Sequence, residues 1–212
     1  MARKLMISAG HSTSPLAAGT QANGFKEEEL TLELRDLVVA RLRALGLEVI
    51  TDGAHGISRP LVEAINLARG CDIAVEFHFN AGARTDTGPF ALSVASRKRF
   101  GVDLAKAVAN AAGLPLYQNG WVSDTRSQHG QLGFCRRGGR GVVLEVCQQS
   151  NLDDMRRYNA SKEKIVDALA ERLKYYAETS SRIYDDSLPD EPPVRVRRKG
   201  QVTGSRKRVG RR

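Results

Sequence analysis

Short apolar runs alternate along this chain with segments of helical period, and that alternation restricts its fold more than any other feature. Leu5 to Ser8, Leu47 to Thr51, Ile73 to His78, Phe90 to Val94 and Val142 to Val146 are bounded by Gly, Asn, Asp or Ser and predict five strands. Between them, Glu28 to Leu45 carries Leu30, Leu34, Leu37, Val38 and Leu42 on one stripe, with Gly46 as the stop signal. Ser58 is the expected cap of a helix with Pro60 in its first turn, running through Leu61, Ile65 and Ala68 to Gly70. Phe100 to Ala112 predicts another helix, and so does Asp153 to about Thr179, where Ile165, Leu169 and Leu173 recur at helical spacing.

Strands that alternate with helices imply an α/β fold: a mostly parallel, twisted sheet with helices on both faces and right-handed crossovers. Such sheets bind ligands at the C-terminal ends of their strands. His11, His78 and Glu145 each fall at or just after a predicted strand end, and Glu27 opens a predicted helix. Four separated segments thus deliver polar side chains to one rim.

With 212 residues the chain has room for one α/β domain and an appendage. No apolar run approaches the roughly 18 residues of a membrane span, so no transmembrane segment is expected. The apolar stretch after Arg3 and Lys4 is shorter than the roughly 7 to 15 residues of a signal-peptide core, so the expectation is manufacture in the cytoplasm without a signal peptide. Cys71, Cys135 and Cys147 form no CxxC pair and suggest no disulfide framework. Of the formal charge of +9, the last 22 residues supply nine Lys or Arg against one acid. The acidic, proline-rich stretch DDSLPDEPP precedes them. We therefore expect a folded domain over 1–184 and a disordered linker with a basic tail over 185–212.

Two histidines and a carboxylate around an open position are a catalytic zinc arrangement, and a further carboxylate outside the ligand set serves as proton acceptor. His11, Glu27, His78 and Glu145 can fill those roles. Each also has an ordinary reading. His11 beside Gly10 suits a loop, His78 within Phe77-His78-Phe79 suits a satisfied core histidine, and Glu27-Glu28-Glu29 suits an acidic first helical turn. There is no HExxH, and spacing alone does not separate the two readings.

Four segments in order resemble the zinc-dependent N-acetylmuramoyl-L-alanine amidases of bacterial cell division and of phage endolysins. Ser8-Ala9-Gly10-His11 resembles the family's strand running into Gly-His, and Glu27-Glu28-Glu29-Leu30-Thr31-Leu32 its Glu-x-x-Leu-x-Leu. His78-Phe79-Asn80-Ala81 is similar to its His-x-Asn-Ala, and Val142-Val143-Leu144-Glu145, with Ser150, Asn151 and Asp154, to its closing motif. The resemblance spans roughly Leu5 to Leu173. It implies one zinc ion (Zn2+) held by His11, Glu27 and His78, with Glu27 and not Glu28 or Glu29 as the ligand, and Glu145 as the catalytic base. It implies peptidoglycan as substrate, cut at the amide between N-acetylmuramic acid and L-alanine.

The sequence departs from the family pattern in places. Ser8 stands where an acid is frequent and Glu76 where a serine is, while Cys147 and Gln148 replace a common Gly and Phe. Alternation puts Glu76 on the face of His78. The changes after Glu145 are expected to bear on the substrate groove. Asn80 and His129 are candidate substrate contacts, although a loop histidine such as His129 also suits plain solvent exposure. The Arg136 to Gly141 run (RRGGRG) offers either a cradle for an acidic muramyl peptide or a plain turn.

The expected context is a phage endolysin acting on the cell wall, in the periplasm if the host is Gram-negative, with the basic tail meeting an anionic wall or outer-membrane surface. A competing class is a polyanion- or nucleic-acid-binding protein driven by that tail. The tail lacks interleaved aromatics and the body is nearly neutral, so nucleic acid is not the main partner expected. Glu145 separates the two classes, because a binder needs no carboxylate beside a metal site.

Overall fold

The computed structural model describes residues 3–11, 18–136 and 141–179. The linker and basic tail expected over 185–212, and positions 137–140 of the RRGGRG run, lie outside the described residues. In chain order the strands and helices are β1 (Leu5–Ala9), β2 (Gln21–Ala22), β3 (Phe25–Lys26), α1 (Glu27–Ala44), β4 (Val49–Thr51), β5 (Gly53–Ala54), β6 (Ile57–Ser58) and α2 (Leu61–Ala68). There follow β7 (Ile73–Asn80), β8 (Phe90–Ser93), α3 (Lys98–Ala112), β9 (Trp121–Ser123), α4 (Gly133–Arg136), β10 (Gly141–Gln148) and α5 (Leu152–Glu178).

Six strands form the central sheet in the order β4-β1-β7-β10-β8-β9. The first four run parallel. β8 is antiparallel to β10, and β9 runs parallel to β8. The sheet is therefore mostly parallel, with one reversed edge. β2 with β3 and β5 with β6 make two small hairpins beside it.

Strand alternation divides the core between the two faces. Leu5, Ile7, Val75, Phe77, Phe79, Val142 and Leu144 point into the larger cluster, with Leu34, Leu104, Leu169 and other residues of α1, α3 and α5. Met6, Ala74, Val143, Phe90 and Leu92 point the other way, onto Ala64, Ile65 and Ala68 of α2 and Phe134 of α4. Continuing along β1, β7 and β10 on this second face, the same alternation brings Ser8, Glu76, His78 and Glu145 to the carboxyl ends of the strands. The smaller core gives way there to buried polar groups.

Sequence signals account for some of the helix ends. Asn151 caps α5, its side chain accepting from the amides of Asp153 and Asp154, and Gly46 follows α1 with a left-handed φ of 84°. The expected Ser58 cap is corrected: Pro60 occupies the cap of α2 and no side chain satisfies that end. Ser58 lies in β6 and its hydroxyl donates to the His11 carbonyl instead, at 3.0 Å.

A register shift after Glu145 reshapes the end of β10. Glu145 pairs with His78, but Gln148 and not Cys147 pairs with Asn80, so β10 carries one extra residue. Val146 and Cys147 both enter the larger core, where the Cys147 thiol contacts the Met155 sulfur at 3.7 Å. Gln148 is fully buried and its side-chain amide donates to the Gly88 carbonyl. Cys147 and Gln148 are both interior residues that pack and brace the strand end. The three cysteines are free and buried, and among the described residues no helix is long and apolar enough to cross a membrane.

Candidate metal centre and its carboxylate

The loop after β1, the first residue of α1 and the end of β7 converge on one point. Gly10 donates to the Phe77 carbonyl at 2.8 Å, extending the sheet by one residue before His11 turns out with φ 67°. A left-handed φ is unfavourable for a residue with a Cβ. Here it is held by the Ser58 bond to the His11 carbonyl and by Thr31, whose hydroxyl donates to the Gly10 carbonyl at 2.7 Å. Gly10 has to be glycine, because a Cβ there would stand 2.2 Å from His78 Nε2. Gly19 is constrained in the same way, its would-be Cβ meeting Glu27 at 2.6 Å.

Of the three consecutive glutamates, Glu27 alone reaches the histidines. Its Oε2 lies 3.3 Å from His11 Nε2 and its Oε1 3.1 Å from His78 Nδ1. Glu28 accepts from the Gly19 amide and Glu29 pairs with Lys26 at the surface. Glu27 is fixed by the amide and hydroxyl of Thr20 on Oε2 and by the Phe79 amide on Oε1. The ligand atoms of His11, Glu27 and His78 all lie within 4.8 Å of one another. The imidazole rings stand edge to face with centroids 4.9 Å apart. Both rings keep partial exposure, at 29% and 18% of their side-chain surfaces, so the cluster opens to solvent.

The electrostatics suit a cation. Burial pushes the Glu27 carboxyl up, but the bonds from His11 and His78 outweigh it and hold the group below the usual carboxylate range. Burial likewise acts to lower His78, yet its bonds to Glu27 and Glu76 and the field of Glu145 hold it well above the usual histidine value. Glu145 sits beside His78 across the β7–β10 ladder, 8% exposed, with Oε2 buried and free of any hydrogen-bond partner among the described residues. Burial raises its carboxyl to about 7; His78 opposes the shift, and Glu27 and Glu76 add to it. A buried carboxyl poised near neutrality is matched to accepting and returning a proton.

The other expected contacts separate. Asn80 donates to Gln148 Oε1 at 2.6 Å, and its carbonyl accepts from the Gln149 amide, so it ties the ends of β7 and β10 together at the site's edge. His129 is exposed in its loop, its amide bonded to the Ser127 hydroxyl, and no bond joins it to the cluster. Asp154 accepts from Thr87, Gly88 and the Gln148 amide and so fastens the start of α5 to the strand end. Two supports escaped the sequence reading. Thr20 orients Glu27, and Gln149 donates to the carbonyls of Thr20 and Phe25, anchoring the hairpin between the first two ligands. Neither has a local pattern signal, because each acts across more than 100 residues or through a loop.

The sequence matches the N-acetylmuramoyl-L-alanine amidase family over residues 5–175. A solved Neisseria meningitidis protein assigned as an N-acetylmuramoyl-L-alanine amidase is 35% identical, with a TM-score of 0.72 over 81% of this chain and 93% of its own. The catalytic domain of CwlV, an amidase from Bacillus (Paenibacillus) polymyxa, is 19% identical with a TM-score of 0.68, over 82% of this chain and 97% of its own. The catalytic domain of the CD27L endolysin targeting Clostridia difficile shares the fold at 20% identity, TM-score 0.57, over 81% and 96%. A sequence search of curated proteins finds no match. A family match over residues 5–175, joined to a structural relative of 35% identity, shows that this chain belongs to the N-acetylmuramoyl-L-alanine amidase family and is a hydrolase of peptidoglycan amide bonds.

Proposed function

We propose that the chain hydrolyses the amide between N-acetylmuramic acid and L-alanine with one zinc ion held by His11, Glu27 and His78 and with Glu145 as the proton carrier. The observation that carries this reading is the pairing of three converging ligand atoms within 4.8 Å with a neighbouring buried carboxyl oxygen that has no hydrogen-bond partner among the described residues. Two imidazoles and one carboxylate, opening to solvent on one side, fit a catalytic zinc with room for further ligands. Zinc bound there supplies a Lewis acid and lowers the pKa of water to about 7.

The chain's own groups do the rest. Glu145 takes a proton from the water that attacks the lactyl carbonyl carbon, and returns it to the alanyl nitrogen as the carbon–nitrogen bond breaks. The products are a muramyl carboxylate and a stem peptide with a free amino terminus. Glu27 stays ionised throughout, held by Thr20 and the Phe79 amide. Zinc uptake measured on the purified protein, together with loss of uptake in His78→Ala, tests the ligand set; full occupancy in that variant would refute it.

As for biological setting, we propose a phage endolysin that is made in the host cytoplasm and acts on the wall, in the periplasm of a Gram-negative host. The solvent-open cluster supports an enzyme active as folded, since each α-helix among the described residues packs on a strand of the sheet. The basic tail is proposed to hold the enzyme to an anionic wall or outer-membrane surface, with support from its charge alone. Cytoplasmic expression followed by chemical permeabilisation of the membrane should lyse cells; intact cells despite activity on purified wall would remove the endolysin role.

A further inference from the structure

We infer that Glu76 is a positioning residue that decides which nitrogen of His78 faces the metal: by accepting the proton of Nε2 it leaves Nδ1 as the ligand. The inference rests on the zinc reading above and deepens it. Glu76 and His78 are two residues apart on β7 and share one face, with Glu76 Oε1 3.2 Å from His78 Nε2. The opposite nitrogen, Nδ1, is the one turned to Glu27. A neutral imidazole carries one N–H, and an ionised carboxylate only accepts, so the Glu76 contact requires the proton on Nε2 and leaves the Nδ1 lone pair directed into the cluster.

Three further observations make this a built arrangement. Glu76 is 4% exposed, so its buried carboxylate requires a hydrogen-bond donor, and the Nε2–H of His78 supplies one. Its other oxygen accepts from the Ser8 hydroxyl at 3.3 Å, which leaves Oε1 for the histidine. The bare Gly10 backbone leaves room for the Nε2 edge of the ring, since a Cβ there would stand 2.2 Å from Nε2.

Ser8 and Glu76 are also register partners on β1 and β7. They form a hydroxyl–carboxylate pair beneath the proposed ligands, with the carboxylate on the strand of His78.

The test uses the full chain loaded with zinc and labelled with 15N-histidine. Long-range proton–nitrogen spectra should show His78 with its proton on Nε2 and metal on Nδ1. In chelator competition, Glu76→Leu should weaken zinc binding by about 10- to 100-fold, and Glu76→Gln, whose amide oxygen still accepts from Nε2–H, should recover most of that loss. Zinc on Nε2 with the proton on Nδ1, or unchanged zinc affinity in Glu76→Leu, would overturn the inference. The wild-type spectrum decides alone if Glu76→Leu does not fold. A wild-type protein that takes up no zinc overturns both readings, whereas zinc uptake through Nε2 overturns this one alone.

Discussion

Glu145 and His78 are register partners on adjacent parallel strands, one with a buried carboxyl oxygen that has no hydrogen-bond partner among the described residues, the other bound on both ring nitrogens by glutamates. The pair separates two jobs that a hydrolase needs done within one site. His78 is committed to the cluster, while Glu145 is left with a free oxygen. Glu145→Gln should therefore fold, keep its metal and lose about 10²- to 10⁴-fold in turnover on purified peptidoglycan. Near-normal turnover in a zinc-loaded Glu145→Gln would remove the proton-carrier role.

The same burial has a consequence for stability in the metal-stripped protein. A carboxyl raised from 4.5 to about 7 is still protonated in the fold where the unfolded chain has already ionised. Stability therefore falls as pH rises between those values, and the loss is complete above about 7. Glu145→Gln lacks this penalty. Its thermal stability, freed of metal, should exceed wild type at pH 8 by an amount of order 1–3 kcal/mol and converge with it near pH 4. A constant difference across that range would show that Glu145 is not held neutral by its surroundings.

Gly10→Ala drives a methyl group into the His78 ring. Overpacking of this kind costs about 1–3 kcal/mol, and the ring is the group that must move. Chelator titration should find zinc affinity reduced by at least about tenfold while circular dichroism keeps the α/β spectrum. Unchanged affinity would mean that the ring has room that the structure does not show.

Ending the chain at Pro193 should leave hydrolysis of small soluble muramyl peptides unchanged. It should also weaken binding to whole walls at low salt, because attraction by the tail is screened over about 8 Å at physiological ionic strength. At high salt the two proteins should converge in a sedimentation assay. Equal wall binding at every salt concentration would leave the tail without an anchoring role.

Much of this was legible in the sequence because buried parallel strands write themselves as apolar runs. All five expected strands are present, and the polar residues at their ends proved to share a rim. What stayed hidden depends on contacts that carry no period. β9, Trp121–Ser123, is three residues long and half-exposed, too short for alternation to register. The reversal of β8 is set by which strand it reaches, not by its own composition. The extra residue in β10 turned Cys147 inward, although strict alternation would have left it beside Glu145. Ser58 showed a cap signal but is spent on the His11 carbonyl, since a tertiary partner outcompeted the local one. Among Glu27, Glu28 and Glu29 only the resemblance singled out the first, and the geometry then brought it to both histidines.

The most direct measurement is the mass of what the protein releases from purified peptidoglycan, with and without zinc. Free stem peptides beginning at L-alanine, matched by intact N-acetylmuramic acid carboxylates on the glycan, are the expected products of the zinc-loaded enzyme; both should vanish on chelation and return when zinc is restored. Release of glycan fragments or of internally cut peptides in their place, or full activity after exhaustive removal of metal, would contradict zinc-assisted cleavage of the muramyl-alanine amide.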